Sequence, residues 1–277
     1  VHRSVSDASS WDGPCHMGNT RCSAVCVCRG NMTGVACQVT NEEMAERRSI
    51  RNRLIAGIRG IVATEDPDAE SVLSWVSSLS STTETFEELD LGAKYDTTDV
   101  ARSILESAIA ASVPFDTVVG IINVVSSIGW TEEDASSGGE VIEASVASTR
   151  ELLGLYSTLI GLQLVVGEDA VLTQAPTFSV VTMAADLASG GNVTVHTPLS
   201  AVEREAGLLP QGIQFDGGSD WSAGGATFSL MSTKARVFNS TAFKSDVLRF
   251  RHSGDICSAL SANCNVLITL QNPSPVD

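Results

Sequence analysis

Five of the seven cysteines in this 277-residue chain stand between residues 15 and 37, and residues 38–256 hold none. The last two, Cys257 and Cys264, lie seven apart near the C-terminal end. This partition limits the folds open to each part. A polar segment of fewer than about 40 residues cannot bury enough apolar surface to stand alone, so crosslinks must hold the opening one. The long cysteine-free middle must fold by burial. The closing pair reads as a local staple, whose short loop would stabilise less than a long-range crosslink does. Such cysteine usage belongs to an oxidising compartment, so the expected place of action is the extracellular or cell surface.

The length predicts two or three domains, with apolar residues enough for one substantial core. A formal net charge of −16 argues against nucleic acid as a partner. The best apolar run, Leu152 to Val166, is interrupted by Tyr156, Ser157, Thr158 and Gln163. It falls short of the roughly 20 apolar residues that cross a bilayer and reads as a buried helix. The chain opens at Val1 without a signal peptide, so it reads as a mature or internal piece of a longer protein. Any membrane anchor is expected outside it. Three sequons begin at Asn31, Asn192 and Asn239; together with the cysteines they predict secretion and attached glycans.

Residues 15–37 read Cys-x6-Cys-x3-Cys-x-Cys-x5-Gly-x2-Cys. One residue between Cys26 and Cys28 sends their side chains to opposite faces of an extended strand, so each can bond a different partner. Gly34 supplies a turn conformation costly for other residues. The spacing Cys26-x-Cys28, Gly34, Cys37 resembles the end of an EGF-like module. That resemblance implies pairing of Cys15 with Cys26 and of Cys28 with Cys37. It also leaves Cys22 unpaired in this chain, its partner lying upstream of Val1. A zinc site is the weaker reading, because only His2 and His16 are near and Cys-x-Cys departs from the usual zinc-knuckle spacing.

From Thr40 to about Val166 the periodicity is helical. Thr40 and Glu43 form a capping box ahead of a stripe of Met44, Ile50, Leu54, Ile58 and Ile61. The opposite face carries Arg47, Arg48, Arg51 and Arg53, a solvated basic face or one that pairs with the chain's own carboxylates. A second helix is expected to open at Asp66-Pro67, with Pro67 at its first position, and to run through Val72, Trp75, Val76 and Leu79. The Ser/Thr/Glu-rich stretch Ser77 to Glu88 reads as a loop. A third helix is expected over Thr98 to Ala111 and a fourth after Pro114, carrying Val118, Ile121, Ile122 and Val125. After the break Ser136-Ser137-Gly138-Gly139, a last helix is expected from Glu140 to Val165.

Beyond Gly167 the pattern turns to short β-branched runs: Ala170–Met183, Val193–Thr197, Gly212–Phe215, Ala226–Met231, Val247–Arg251 and Val266–Leu270. Their number and spacing predict an antiparallel sandwich. The order of parts, an EGF-like segment, a helical bundle and a sandwich, resembles the GAIN region of polycystin-1-like and adhesion-receptor ectodomains. The local likenesses are Val166-Gly167-Glu168 followed by Thr177-Phe178-Ser179-Val180, the junction Ser112-Val113-Pro114, and Phe238-Asn239-Ser240 with the last two strands. The resemblance implies an α+β multidomain chain. Residues 1–39 would be an incomplete EGF-like segment, 40–166 a helical subdomain and 167–277 a β-sandwich subdomain. The family's Cys/Trp-rich stretch and His-Leu-Ser/Thr cleavage tripeptide are missing from this sequence, so self-cleavage is not carried over.

No catalytic motif is evident: there is no His-Glu-x-x-His, no glycine-rich phosphate loop and no Gly-x-Ser-x-Gly elbow. The four histidines, His2, His16, His196 and His252, lack a local partner motif for a serine-hydrolase triad. Asp216 and Asp220 flank Gly217-Gly218-Ser219. They are a weak calcium candidate and fit better as solvated carboxylates on a hairpin tip. Trp221 beside them packs under that loop or offers a contact surface. The expected function is an extracellular structural and adhesive module of a large cell-surface glycoprotein, not an enzyme and without a cofactor. Its expected partners are other protein chains, further domains of the same polypeptide, and glycans. Two alternatives are a subunit of an extracellular filament or of a ciliary or flagellar appendage, and a secreted hydrolase whose site the sequence does not reveal.

Overall fold

The computed structural model describes residues 2–5, 22–25, 28–34, 36–128, 139–175, 178–186, 193–196, 212–215, 225–233, 247–253 and 266–269. Near the N-terminus β1 (His2–Val5) pairs antiparallel with β2 (Cys22–Val25), and β3 (Met32–Thr33) with β4 (Val39–Thr40). Five helices follow among the described residues: α1 (Asn41–Thr64), α2 (Ala69–Thr83), α3 (Leu91–Ala110), α4 (Gly120–Ser127) and α5 (Gly139–Gln163). Short 3-10 turns at Phe86–Glu88 and Phe115–Val118 join them. Then come β5 (Val171–Gln174), β6 (Phe178–Asp186), β7 (Val193–His196), β8 (Gly212–Phe215), β9 (Gly225–Thr233), β10 (Val247–Ser253) and β11 (Val266–Thr269). They form a four-stranded sheet, β10-β9-β6-β5, and a three-stranded one, β11-β8-β7, both antiparallel throughout. The chain is a mixed helix-and-sheet protein. Among its described residues no helix is long and apolar enough to cross a membrane.

Local capping sets the starts of the first three helices. Thr40 accepts the Glu43 N–H (3.1 Å), and the Glu43 carboxylate accepts the Thr40 N–H (2.8 Å), completing the capping box of α1. These bonds hold the Glu43 carboxyl below its usual range. The second helix opens later than Pro67: Asp68 is the cap, accepting the Ser71 N–H at 2.8 Å. Asp90, accepting the Ala93 N–H at 2.8 Å, starts α3 seven residues before the expected Thr98. The stretch Ser77 to Glu88 is not a single loop either, because α2 continues to Thr83. There Thr82 and Thr83 donate their hydroxyls to the carbonyls of Ser78 (2.8 Å) and Leu79 (2.9 Å), and both threonines are buried. Burial and these internal bonds override the weak helix propensity of a Ser/Thr run.

The stripe expected on α1 is only partly core. Met44 and Ile58 are buried with Ile55 and Val62, whereas Ile50, Leu54 and Ile61 are exposed. The reason lies in the arginines, because Arg47 and Arg51 turn toward the 3-10 turn at 86–88 and draw that side of the helix inward. The expected strand Ala170–Met183 is two strands, β5 and β6, paired in register Val171↔Thr182 to Gln174↔Ser179.

One core runs through helices and sheet. Val72, Leu79, Ile104, Leu105, Ile121, Tyr156 and Leu159 of the bundle share it with Phe178 and Val180 of β6. Helix α5 packs against the four-stranded sheet. Its Tyr156 hydroxyl hydrogen-bonds to Thr173 Oγ1 of β5 (2.8 Å, both buried), and a Cβ added at Gly161 would stand 2.6 Å from Thr227 Cγ2 of β9. Burial pushes the Tyr156 phenol above its usual range, although its bond to Thr173 acts the other way. The chain leaves α5 through a turn at Gly167 (φ 93°), where the Glu168 carboxylate accepts the Val165 N–H at 2.8 Å.

Candidate functional site

The lead-in to α1 is the part of the described chain that combines a crosslink, a sequon and an ordered contact with the core. Cys28 and Cys37 form a disulfide with Cα atoms 5.3 Å apart. The loop between them turns through Gly30 (φ 67°) and Gly34 (φ 87°), and Cys37 itself has φ 54°. A residue with a side chain adopts that left-handed region only when its surroundings hold it. Here the Cys37 N–H donates to the Gly34 carbonyl at 3.0 Å.

This hairpin is seated on the bundle. Val39 of β4 is buried, and the Asn41 N–H donates to the Asn31 carbonyl at 2.9 Å. Residue Asn31 is exposed at the head of β3, with Thr33 of its sequon two residues on. An open groove of about 710 Å³ runs beside the hairpin, lined by Thr33, Asn41, Arg48, Asn52, Arg53 and Asp90 among others. Its inner wall carries the Asn52 amide, whose nitrogen donates to Asp90 (2.9 Å) and whose oxygen is buried without a partner among the described residues.

Behind the groove, arginines clamp α1 to the end of α2. Arg47 and Arg51 both bind the buried Glu88 carboxylate, at 2.9 and 2.7 Å. Arg51 also donates to the Thr82 carbonyl at 2.6 Å, and Arg48 to the Glu87 carbonyl at 3.2 Å. Burial alone would raise the Glu88 carboxyl, but its bonds to Arg47 and Arg51 outweigh that and hold it below the usual carboxylate range. These arginines are therefore structural partners of the chain's own acids. Arg53 stays exposed, donating to the Ser49 carbonyl.

A second groove, between α2 and α4, is lined by hydroxyls such as Ser77, Ser80 and Ser127, with Glu84 and Asp116 at its rim. Among the described residues no three His, Cys, Asp or Glu side chains converge as metal ligands would. His196 is exposed on β7 of the three-stranded sheet, and His252 belongs to β10 of the other sheet. Backbone pairing places His2 in β1 and Cys22 in β2. Cys15, Cys26, Cys257, Cys264, Asn192, Asn239, Asp216, Asp220, Trp221 and His16 lie outside the described residues.

The Glu88 clamp was not singled out from sequence, although Arg47 and Arg51 were. Its signal was present as two arginines one turn apart facing an acidic pair, Glu87-Glu88, some 40 residues on. Together these features define a mixed helix-and-sheet protein with a disulfide-clasped lead-in seated on its helical core. No protein-family model and no curated protein matches the chain.

Proposed function

We propose that this chain is an extracellular structural and adhesive module of a large cell-surface glycoprotein, acting through protein contacts and not through catalysis. The observation that carries the reading is the lead-in itself: a short hairpin closed by the Cys28–Cys37 disulfide, displaying the Asn31 sequon, and docked on α1. A clasp of this kind persists in oxidising compartments and is rare in reducing ones. Attached to a core continuous from helices into sheet, it makes a stiff connection between upstream modules and whatever the sheet region joins. In this reading residues 1–39 are the end of an EGF-like segment. The helical part and the two sheets then correspond to the two halves of a GAIN-like unit, with the sheets as its sandwich. Glycans at Asn31, Asn192 and Asn239, and disulfides at Cys15–Cys26 and Cys257–Cys264, belong to the same proposal.

The test is surface labelling of intact cells that express the natural gene with a tag next to this chain. Labelling by a membrane-impermeant reagent, and loss of the tag on brief external proteolysis, are the expected results. Labelling that requires permeabilised cells would sink the proposal. Periodic labelling along a fibre would move it to the filament alternative.

A further inference from the structure

Among the described residues the four-stranded sheet ends in an unguarded edge. β5 is its last strand, paired to β6 on one side only. The Ala175 N–H donates to the Phe178 carbonyl at 2.8 Å, so residues 175 and 178 form a hydrogen-bonded pair. Such pairs alternate along an antiparallel ladder, and the register matches Thr173 with Val180 and Val171 with Thr182. Those pairs are hydrogen-bonded too, and the N–H and C=O groups of Leu172 and Gln174 consequently point outward. Among the described residues no hydrogen bond reaches them. Both residues are exposed, Leu172 to 47 %.

Edge strands are normally blunted by lysine, proline or a bulge. Val171-Leu172-Thr173-Gln174 contains neither residue, and its register with β6 is unbroken. Exposed Glu168 and Asp169 stand three and two residues before the strand. The edge thus offers two outward donor–acceptor pairs, an apolar side chain and adjacent negative charge.

We infer that the outer edge of β5 is a docking site for an extended, basic segment of another polypeptide, which adds to the sheet as a fifth strand. Main-chain bonds to Leu172 and Gln174 supply the register, an apolar residue of the guest packs on Leu172, and a basic residue meets Asp169. A second copy is the wrong occupant, because it brings the same net charge of −16 to an acidic edge. The site deepens the proposed role in protein contacts and rests on it for its biological use. Its test, however, uses purified protein and is independent of compartment, so a failure here leaves the surface-labelling result standing.

The purified chain is titrated with a short synthetic peptide of alternating valine and threonine that ends in arginines, and with a control ending in glutamates. Amide hydrogen exchange is read at Leu172 and Gln174. The basic peptide is expected to slow exchange at both, and the acidic control to leave both unchanged. Gln174→Pro removes an outward N–H without losing a ladder bond, and Leu172→Lys installs an edge guard. Each is expected to weaken binding by about tenfold or more while the amides of β6 and β9 stay protected. If either variant loses that protection, the titration of the unaltered chain decides alone. Unchanged exchange at saturating basic peptide, or equal protection by the acidic peptide, overturns the inference. Protection that rises with protein concentration in the absence of peptide assigns the edge to a second copy and overturns it as well.

Discussion

Gly57→Ala and Gly161→Ala make the same chemical change on two helices, and the structure gives them opposite signs. A Cβ at Gly57 of α1 meets nothing within 4 Å. There only helix propensity acts, and alanine is expected to stabilise by about 0.5–1 kcal/mol. At Gly161 the added Cβ stands 2.6 Å from Thr227 Cγ2 and 3.4 Å from Thr227 Cβ. Thr227 is β-branched and sits in β9, so its methyl cannot turn aside cheaply. Overpacking of this kind costs about 1–3 kcal/mol, and the propensity gain is small so near the end of α5. The net expectation is a loss of about 1–2 kcal/mol. Urea unfolding of the single variants measures both signs. Thr227→Ser deletes the obstructing methyl and keeps the hydroxyl, so adding it to Gly161→Ala should recover about 1 kcal/mol in a double-mutant cycle. Stabilisation by Gly161→Ala equal to that of Gly57→Ala would refute the close approach of α5 to β9. The single core shared by helices and sheet would then lose its main support.

Two further variants test the buried polar contacts. Glu88→Gln leaves Arg51 without its carboxylate, and Arg47 is half exposed, so the expected cost near neutral pH is about 2 kcal/mol. The folded Glu88 carboxyl sits below the ordinary 4.5. Its contribution is therefore present above that value and lost as pH falls through the lowered folded pKa. Acid-unfolding curves of Glu88→Gln should be flatter over that range, and a parallel curve would contradict the clamp. Tyr156→Phe strands the buried Thr173 hydroxyl and should cost about 1–2 kcal/mol in thermal unfolding. Adding Thr173→Val should return part of that loss, and an unchanged Tm for Tyr156→Phe would argue against the bond.

The legible parts of the fold are those with a local cause. The start of α1 follows from the Thr40–Glu43 capping box, and the helix after Pro114 and the last helix follow from apolar spacing, both of which act within a turn or two. So do the strand positions beyond Gly167, because alternation and turn residues mark them. What the sequence did not show has a tertiary cause. The Ser/Thr run at 77–83 is helical because Leu79, Thr82 and Thr83 are buried against the rest of the bundle. Ile50, Leu54 and Ile61 lie outside the core because Arg47 and Arg51 reach Glu88, a partner about 40 residues away that periodicity along one helix cannot reveal. The open edge of β5 was equally hidden, since strand order is set by pairing between distant segments.

The proposed extracellular role requires that the lead-in hairpin matures in an oxidising, glycosylating compartment. Peptide mass spectrometry of the protein isolated from its natural source, alkylated before any reduction, tests it most directly. A crosslinked peptide joining Cys28 to Cys37 and a glycan on Asn31 released by an N-glycanase are the expected results. Cys28 and Cys37 both recovered alkylated, with Asn31 unmodified, would contradict it.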